Sequence, residues 1–568
     1  MMINNSIICG ILHLSSKISY GVGKDGVVIK RFTALNPINC SDDGDTKYKI
    51  FNVGTKKGFN ARDWYCTIKF NGIIDKKTNV PNGTIQQYIG EIGNYEAEMK
   101  CIKMLCLTTG GHLWAKDNIF QTDSYLNDIY HKDRKEDFLG NKNCEIYSID
   151  PLGCVDIDDA IHVVKRNDGS YDIGIHISDV SSYIPKNSPL DLELSNRCES
   201  IYLKDCQINM LPAELVELCS LTQKKNKRVF SIVITLDGTS YDILDVKFNH
   251  NIIRVTRNLS YDEAQKLIDK KANSSLNLMY DIGKHLHKTK KNKSDQPYDT
   301  HIMVENYMVL ANTLVAQYIS KNNKDQILCR RHSGSRKELY DQQDQQIPTH
   351  LIDKANILLM EKAEYCVGNS DNLEKMSHIG LGKELYTHFT SPMRRYFDII
   401  VHRLLSGQKE LDNCSKQLVK HMNDTHALYN KCEKLSNQLQ QIYQLQDINS
   451  SDTFVMSGWI IHIDDNSNKV KIYIKDLDMI VDSMLFSNKL SHLVNVFRTL
   501  DHNEDMIILR SNTEPDKKIL LKMFQQVTIR IAITLSLTHK LLTKIIDPDI
   551  MSIFDNDYMQ DNDEELIY

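Results

Sequence analysis

The 568-residue sequence predicts a multidomain α+β protein in which a central α+β domain lies between two small β-barrels. The chain is too long for a single hydrophobic core, because one domain averages about 150 residues. Its two ends carry short β-branched or aromatic runs separated by turn residues, whereas its middle mixes strand patterns with helical ones. Charged residues at 25% and hydrophobic residues at 41% are typical of globular domains, so we expect most of the chain to fold.

A first barrel is expected over residues 1–115. Ile7–Leu14, Gly26–Ile29 and Trp64–Phe70 are short β-branched or aromatic runs, and Gly, Asn and Asp turns separate them. This spacing is typical of a small barrel of the OB or cold-shock type. The residues that follow, 116–144, are polar and predict a connector.

Residues 145–446 predict one large α+β domain. Ile161–Arg166 and Tyr171–Ile177 alternate on either side of an Asn-Asp-Gly turn, which indicates a β-hairpin. Ser260 and Glu263 form a capping box that begins a helix, and residues 304–318 carry apolar side chains at helical spacing.

Another helix is expected near the end of this domain. Ser391-Pro392 have the pattern of a helix N-cap followed by proline in the first helical position, so we expect the helix to begin there. Arg394 and Arg395 would then lie at a helix N-terminus, where backbone amides and guanidinium groups bind anions.

A second barrel is expected over residues 447–548. Phe454–Ile463 and Val470–Ile474 flank a turn and predict a hairpin, and Val527–Leu537 alternates over its whole length. A polar insertion around residues 502–518 interrupts this barrel. The last residues, 549–568, are acidic and are expected to form a disordered tail.

The composition excludes some classes of protein. No stretch approaches the roughly 18 apolar residues of a membrane-spanning helix, and the N-terminus lacks the basic and apolar regions of a secretory signal. The 14 cysteines include no CxxC pair, so we expect reduced thiols in a cytoplasmic protein, with the nucleus as the alternative. A net charge of −5 argues against unspecific coating of nucleic acid but allows a local basic channel.

Four carboxylates fall close together in the segment SIDPLGCVDIDDA, from 148 to 160: Asp150, Asp156, Asp158 and Asp159. Mg²⁺ prefers carboxylate oxygens, and two-metal hydrolysis of a phosphodiester uses about four such groups. A turn over residues 151–154 can bring Asp150 back toward the other three. The segment therefore predicts a magnesium site.

Other interpretations of this segment were compared with its residues. An EF-hand loop beginning at Asp156 needs glycine and glutamate where Ile161 and Asn167 stand. A phosphotransferase motif of the DxDx[T/V] type needs Thr or Val where Ala160 stands. A solvated acidic turn and a nucleotide-sugar DxD site remain open from this segment alone.

Several longer strings point to one known family. They are IDPLGCVDIDDA (149–160), IHISDVSSYI (175–184), NRCESIYL (196–203), INMLPAELVELCSL (208–221), VENYMVLAN (304–312) and HFTSPMRRYFDIIVHRLL (388–405). In order and spacing they resemble the RNB catalytic domain of the ribonuclease II/ribonuclease R superfamily, including its eukaryotic exosome-type members. Residues 80–99 resemble the cold-shock barrel that precedes this domain in the exosome-type branch. The resemblance implies an RNB-type catalytic domain flanked by RNA-binding barrels of the OB type.

This resemblance implies a 3′-to-5′ exoribonuclease that hydrolyses single-stranded RNA to 5′-mononucleotides by two-metal-ion catalysis. All four aspartates match metal-binding positions of the family: Asp150, Asp156, Asp158 and Asp159. Asp158 matches the carboxylate whose loss abolishes cleavage but leaves RNA binding, so it is also the first catalytic residue that we expect.

Four further residues are expected at the site. Arg394 matches an arginine that contacts the scissile phosphate and stabilises developing charge, and we assign Arg395 to RNA binding beside it. Tyr202 matches an aromatic residue that packs near the 3′-terminal nucleotide, where stacking tolerates every base. Glu305 matches an active-site glutamate, although many relatives have two acidic residues where this chain has Glu305-Asn306.

The chain departs from the family between the helix that begins at Ser260 and residue 304. This stretch is short, and in relatives it contributes a second aromatic residue that clamps the last base opposite the one matching Tyr202. Here Tyr298 is the only aromatic residue in the polar segment Lys288–Thr300. We expect a weaker grip on the final base and a changed product length.

These expectations define the cofactors and partners. We expect Mg²⁺, with Mn²⁺ as the alternative, and no organic cofactor. We expect a monomer that binds single-stranded RNA and no membrane, with a helicase or an RNA-processing complex as a further candidate partner. Two other functions stay open: a catalytically inactive RNA-binding or scaffold protein with the same fold, and another metal phosphodiesterase or nucleotidyl enzyme.

Overall fold

The computed structural model describes residues 7–22, 27–39, 47–56, 62–76, 78–110, 135, 138, 144–288, 297–322, 327–335, 340, 347–407, 415–448, 453–464, 468–486, 488–501, 504–535 and 539–554. The chain forms two compact units. The first combines residues 1–108, 335–360 and 434–568, and the second combines residues 109–334 and 361–433. The predicted connector, 116–144, lies outside the described residues except for Lys135, Phe138 and Cys144.

The N-terminal part of the first unit is a closed five-stranded barrel with the strand order β1-β2-β3-β5-β4. Its strands are β1 (Ile7–Leu12), β2 (Val28–Asn39), β3 (Lys47–Thr55), β4 (Trp64–Asp75) and β5 (Val80–Glu91), and helix α1 (Tyr95–Gly110) follows them. Inward-facing side chains such as Phe32, Phe51 and Ile68 fill the barrel. The sequence-based prediction of a small barrel is therefore confirmed.

The second unit is built on a six-stranded sheet with the order β12-β11-β8-β7-β6-β13. Its strands are β6 (Tyr147–Asp150), β7 (Asp159–Lys165), β8 (Tyr171–Ser178), β11 (Asn226–Leu236), β12 (Ile243–Arg254) and β13 (Arg257–Ser260). Strands β7 and β8 pair antiparallel around the predicted turn, which confirms that hairpin. Strand β13 pairs parallel with β6, so their carboxyl ends meet at one edge of the sheet.

Helices cover one face of this sheet and bury a core of sheet side chains that includes Ile161, Ile173 and Ile232. They are α2 (Pro189–Arg197), α3 (Ala213–Cys219), α4 (Tyr261–Asp269), α5 (Ser274–Lys288), α6 (Thr300–Asn322), α8 (Tyr396–Leu405) and residues 415–433 of α9 (Ser415–Ile448). Two short strand pairs complete the unit: β9 (Ile201–Tyr202) with β10 (Gln207–Ile208), and β14 (Ile327–Arg331) with β15 (Glu364–Gly368). The predicted capping box at Ser260 and Glu263 is present, so this helix start is confirmed.

The helix predicted to begin at Ser391 begins instead at Tyr396, so this boundary was wrong. Residues 392–394 form a turn, and backbone amides at 391 and 393 donate to carboxylates outside it. The Ser391 amide donates to Asp398 at 2.8 Å, and the Met393 amide donates to Asp158 at 3.0 Å. Arg395 has extended backbone angles and forms a β-bridge with Glu199.

The C-terminal part of the first unit contains a second β-rich region. A five-stranded sheet has the order β18-β17-β16-β22-β23, and a separate three-stranded sheet has the order β19-β20-β21. The strands are β16 (Thr453–Ile463), β17 (Lys469–Ile474), β18 (Met479–Met484), β19 (Val494–Asp501), β20 (Glu504–Ser511), β21 (Lys518–Lys522), β22 (Gln526–Leu535) and β23 (His539–Asp547). Helix α7 (Thr349–Leu359) packs on it through Leu351 and Ala355.

Two expectations for this region need correction. The polar insertion around residues 502–518 contains strand β20, because Ile507 and Leu509 face the core while Arg510 is exposed. The predicted acidic tail begins later than residue 549, since Ile550–Ile553 form a 3₁₀ turn with buried Ile550 and Ile553. Residues 555–568 lie outside the described residues. In the described part of the chain, no helix has the length and apolar character that crossing a membrane requires.

Candidate active site

The acidic segment lies at the sheet edge where three strand ends meet. Strand β6 ends at Asp150, and its antiparallel neighbour β7 begins at Asp159. On the other side of β6, Ser260 at the end of β13 is the register partner of Asp150. The sheet thus brings Asp150, Asp159 and the start of helix α4 to a single edge.

The loop between β6 and β7 positions the other two aspartates. A turn closes when the Cys154 amide donates to the Pro151 carbonyl at 3.1 Å, and Gly153 within it has a φ of +83°, a conformation that glycine adopts easily. The Cys154 thiol lies 3.6 Å from Oδ1 of Asp156. The predicted turn over residues 151–154 is therefore present.

Asp158 is the most enclosed of the four aspartates. Its side chain is 5% exposed, and its Oδ1 accepts the Met393 amide at 3.0 Å. Burial raises the pKa of Asp158 well above its ordinary value, although the Arg394 charge and the Met393 amide oppose this shift. The hydrogen bond fixes the carboxylate against the turn that carries Arg394.

Asp150 and Asp159 share this environment. Burial raises the pKa of Asp159 to about 8, and the charge of Asp150 adds to that shift. Burial likewise raises the pKa of Asp150 to about 6, with a further increase from Asp156. Oδ2 of Asp150 is buried and has no hydrogen-bond partner in the described part of the chain. Together with buried Asp158, these two half-buried carboxylates call for a nearby positive charge.

Arg394 supplies one positive charge to the cluster. Its Nη2 donates to the Ser391 hydroxyl at 3.0 Å, which anchors the guanidinium within the turn. The Arg394 charge lowers the pKa of Asp158, Asp159 and Tyr202, so it acts on all three groups. The structure thus brings Arg394 to the aspartates, as the resemblance implied.

Arg395, the second predicted RNA-binding arginine, has different surroundings. Its Nε and Nη2 donate to the two carboxylate oxygens of Asp398 at 3.0 and 2.7 Å. Asp398 is fully buried and also accepts the Ser391 amide. In the structure, the contacts of Arg395 are therefore those of an internal ion pair that holds the turn in place.

Tyr202 lies on β9 beside the acidic cluster, with 40% of its surface exposed. Burial raises its pKa to about 12, and the charges of Asp156 and Asp158 add to this while Arg394 opposes it. Its cross-strand neighbour Gln207 lies 3.4 Å from Oδ2 of Asp156. The ring is therefore close to the carboxylates and open enough to stack on a base.

Sequence reasoning missed Tyr261, the first residue of α4. Burial raises its pKa to about 12, and Asp159 and Asp150 are the next largest causes. Its ring stacks on His301 with centroids 3.8 Å apart. The capping box placed Tyr261 in a first helical turn, but the parallel pairing of β13 with β6, which brings it to the site, is long-range.

Two other residues singled out from the sequence, Glu305 and Tyr298, are related to the site through neighbouring residues. Glu305 is exposed on α6, one turn after His301, so the two side chains share a helix face that approaches Tyr261. Tyr298 packs against Tyr280 and His287, with centroids 4.8 and 5.5 Å away. The ring contacts of Tyr298 are thus with the α5 region.

The donor chemistry of the cluster fits a hard divalent cation. Four carboxylates lie in one electrostatic group, and a buried oxygen of Asp150 has no partner. Among the described residues, no three His, Cys, Asp or Glu side chains form a closed metal-binding group. The fit therefore rests on the residue types, since carboxylate oxygens are the ligands that hard divalent cations prefer.

A central α+β domain with this acidic edge defines a class of protein. Residues 139–411 match the model of the RNB domain family. The resemblance of this part of the chain to the RNB domain, seen in the sequence, is therefore confirmed.

The similar curated proteins include exosome exonucleases. The exosome complex exonuclease RRP44 of Mus musculus is 30% identical over 424 residues, which make up 64% of this chain and 43% of that protein. The probable exosome complex exonuclease RRP44 of Caenorhabditis elegans is 31% identical over 338 residues, 49% of this chain and 35% of that protein. The exosome complex exonuclease dis3 of Schizosaccharomyces pombe is 26% identical over 542 residues, 80% of this chain and 54% of that protein. The chain thus spans 35% to 54% of the length of these relatives.

Solved structures share the fold over nearly the whole chain. The apo form of Mycoplasma genitalium RNase R has a TM-score of 0.67 at 18% identity and covers 95% of this chain and 90% of its own. Yeast Ssd1, described as a pseudonuclease, has a TM-score of 0.69 at 14% identity and covers 95% of this chain and 83% of its own. These similarities confirm the predicted fold class, with an RNB domain and small barrels. Because a pseudonuclease shares it, the fold alone does not establish catalysis.

Proposed function

We propose that the chain is a metal-dependent 3′-to-5′ exoribonuclease that hydrolyses single-stranded RNA to 5′-mononucleotides. The observation that carries this proposal is the convergence of four aspartates with Arg394 at one sheet edge. The RNB domain match and the relatives named as exonucleases support it. The 3′-to-5′ direction and the mononucleotide product rest on the resemblance to the family.

In this proposal Asp150, Asp156, Asp158 and Asp159 hold Mg²⁺, with Mn²⁺ as the alternative ion. The bound ions supply activation of a water molecule and stabilisation of the leaving oxygen. Positive charge from bound ions would offset the burial and mutual repulsion that raise the pKa values of Asp150, Asp158 and Asp159, and would keep these three groups ionised at neutral pH.

The remaining residues hold the RNA end. Arg394 donates to Ser391 through one nitrogen, which leaves other guanidinium donors for a phosphate. Tyr202 presents an exposed ring for stacking on a terminal base, a contact that every base can make. The Met393 amide holds the Asp158 carboxylate, and Met393 directly precedes Arg394. The hydrogen bond therefore fixes the position of the carboxylate relative to the turn that carries the guanidinium.

The wider expectations are part of the same proposal. Single-stranded RNA is the partner, the chain acts as a cytoplasmic monomer, and an RNA-processing complex is a further candidate partner because three relatives are named as exosome exonucleases.

The test compares wild type with Asp158→Asn on 5′-labelled RNA that carries a single-stranded 3′ tail. With Mg²⁺, wild type is expected to release 5′-mononucleotides, and Asp158→Asn is expected to cut slower by several orders of magnitude while binding RNA equally well. Asp245→Asn, at an exposed surface position, serves as the matched control and should cut like wild type.

Three results would contradict the proposal. Degradation that persists in a chelator would exclude metal dependence. Protection by a blocked 5′ end, rather than a blocked 3′ end, would reverse the direction. Wild type that binds the RNA and leaves it intact would instead support the catalytically inactive RNA-binding protein.

A further inference from the structure

The three-stranded sheet β19-β20-β21 is an addition to the C-terminal five-stranded sheet. It lies in sequence between β18 and β22, which both belong to the five-stranded sheet. Its strands pair antiparallel in a continuous register, so residues directly opposite one another share a face. The register therefore assigns each side chain to one of two faces.

One face packs on the barrel core. Ile507 and Leu509 of β20 and Leu521 of β21 are buried there. Arg498 and Asp505 pair with each other at the same side. Ile507, Leu509 and Leu521 of this face are therefore already covered, whereas Val496 at its margin is 41% exposed.

The opposite face is open and here called the insert face. It is defined by two cross-strand rows, one of Phe497, Ile508 and Leu520 and one of Asn495, Arg510 and Lys518. Phe497 is 47% exposed and Leu520 is 42% exposed, although both are large and apolar. Large exposed apolar groups that are neighbours on one face indicate a binding surface more strongly than scattered ones do.

The charge of the insert face favours an anion. Arg510 and Lys518 are exposed register partners, and in the described part of the chain neither has a carboxylate partner. The Arg510 guanidinium lies over the Phe497 ring, 5.7 Å from its centroid. The acidic pair Asp501 and Glu504 ends the hairpin and lies at the far end of the strands from Arg510.

An aromatic ring beside two exposed cations is a surface that suits a single-stranded nucleic acid. Stacking on an aromatic side chain accepts every base, and neighbouring Lys and Arg contact the phosphates. We propose that the insert face binds single-stranded RNA, with a base on Phe497 and the adjoining phosphate at Arg510 and Lys518. This inference rests on the proposed function, since it gives the same substrate a second contact outside the RNB domain.

The test measures RNA affinity without cleavage, in the Asp158→Asn background and with a chelator. The ligand is fluorescent oligouridylate of about 30 nucleotides, longer than the roughly 4–16 that one OB-type barrel covers. Arg510→Glu combined with Lys518→Glu is expected to weaken binding about tenfold or more. The slope of log K against log salt should fall in magnitude by about 1.4, because each lost phosphate contact of a single strand contributes about 0.7.

The apolar row is tested separately. Phe497→Ala is expected to weaken binding by about fivefold or more, with an unchanged salt slope, because stacking carries no charge. Lys416→Glu combined with Lys420→Glu is the matched control, since both residues are exposed on α9, outside the two β-rich regions, and the charge change is identical. This control should retain the affinity of the parent protein, and circular dichroism should show all variants folded.

A crosslinking experiment on an unchanged insert face tests the proposal even if one of the surface variants misfolds. Oligouridylate containing 4-thiouridine is crosslinked to the Asp158→Asn protein, and the modified peptides are identified by mass spectrometry. Crosslinks within residues 494–511 are expected. Crosslinks confined to other segments, or charge-reversed protein that binds RNA like its parent, would overturn the proposal.

The outcomes separate this inference from the proposed function. Wild type that cuts RNA, together with insert-face variants of undiminished affinity, would remove only this inference. Weakened binding in those variants, together with a wild type that never cuts RNA, would remove only the nuclease. Undiminished RNA affinity with loss of a wild-type dimer in sedimentation would assign the insert face to a second copy of the chain and overturn RNA binding there.

Discussion

Two neighbouring arginines, Arg394 and Arg395, have the same sequence context and opposite surroundings. Arg394 acts on the carboxylate cluster, whereas Arg395 is held by both oxygens of buried Asp398. A sequence shows both guanidinium groups, and Asp398 three residues after Arg395, but it does not show that Arg394 meets Asp158, more than 230 positions earlier. At this scale, the ion pair determines which arginine is available to a phosphate.

Removal of the Asp398 charge tests the structural role of Arg395. Asp398→Asn leaves a buried guanidinium without its counter-charge, so we expect the free energy of unfolding to fall by about 3 kcal/mol. Urea denaturation followed by circular dichroism measures this. The exposed substitution Asp245→Asn should change the free energy of unfolding by less than about 0.5 kcal/mol. An equal stability of Asp398→Asn and wild type would show that the ion pair has no structural role.

The raised pKa of Asp159 predicts a pH-dependent effect of metal removal. A carboxyl with a raised pKa binds its proton more tightly in the folded state than in the unfolded state. The folded state therefore gains stability as the pH falls from about 8 toward the ordinary pKa of an aspartate. In a chelator, Asp159→Asn should therefore gain melting temperature relative to wild type as pH rises from about 5 to about 9. At high pH, excess Mg²⁺ should make the melting temperature of wild type the higher of the two, because only wild type is stabilised by the ion.

Calorimetric melting of both proteins across this pH range makes the comparison. The difference between them isolates Asp159 from the buried histidines, such as His162 and His176, whose lowered pKa values act in the opposite sense on acidification. A melting difference that does not change with pH would contradict the shift.

At the scale of elements, sequence patterns predicted the structures that form between residues close together in the chain. The hairpin of β7 and β8 and the capping box at Ser260 depend on neighbouring residues, and both were predictable. The start of α8 was not predictable. The Ser391 amide donates to Asp398 and the Met393 amide donates to Asp158, so neither belongs to a first helical turn. Tyr261 reaches the site through a parallel strand pairing between segments about a hundred residues apart, which no local pattern specifies.

The four aspartates were predictable for a different reason. They are close in sequence, so any compact loop keeps them close in space, and the turn at 151–154 was visible in the residue types. Their enclosure by Met393 and Arg394 depends on residues more than 230 positions away.

The capping box links helix stability to the site, and one substitution tests this link. Ser260→Ala removes the cap of α4 and should lower the free energy of unfolding by about 1 kcal/mol, whereas Ser260→Asp should retain most of it. Because Tyr261 follows the cap directly, cleavage by Ser260→Ala should also slow, as a timed RNA assay would measure. Equal stability of Ser260→Ala and Ser260→Asp would contradict the role of the cap.

At the scale of the whole molecule, the RNB domain occurs with two β-rich regions of the type that binds single strands. Several weak sites on one chain raise affinity together, because binding at one raises the effective concentration at the next. We therefore expect the affinity of the chelated protein for oligouridylate to rise with length well beyond the shortest RNA that is cut. Fluorescence anisotropy over a length series measures this, and a plateau at that shortest length would show that the barrels do not contribute.

The hydrogen bond between Met393 and Asp158 joins residues 235 positions apart. Ribosomes add about 5–20 residues per second, so on the order of ten to fifty seconds pass between synthesis of the acidic loop and of the turn that encloses it. Throughout that interval a nascent chain holds its aspartates without Met393 or Arg394. For the proposed nuclease, this means that the messenger under translation meets no assembled cleavage centre until that turn has been synthesised.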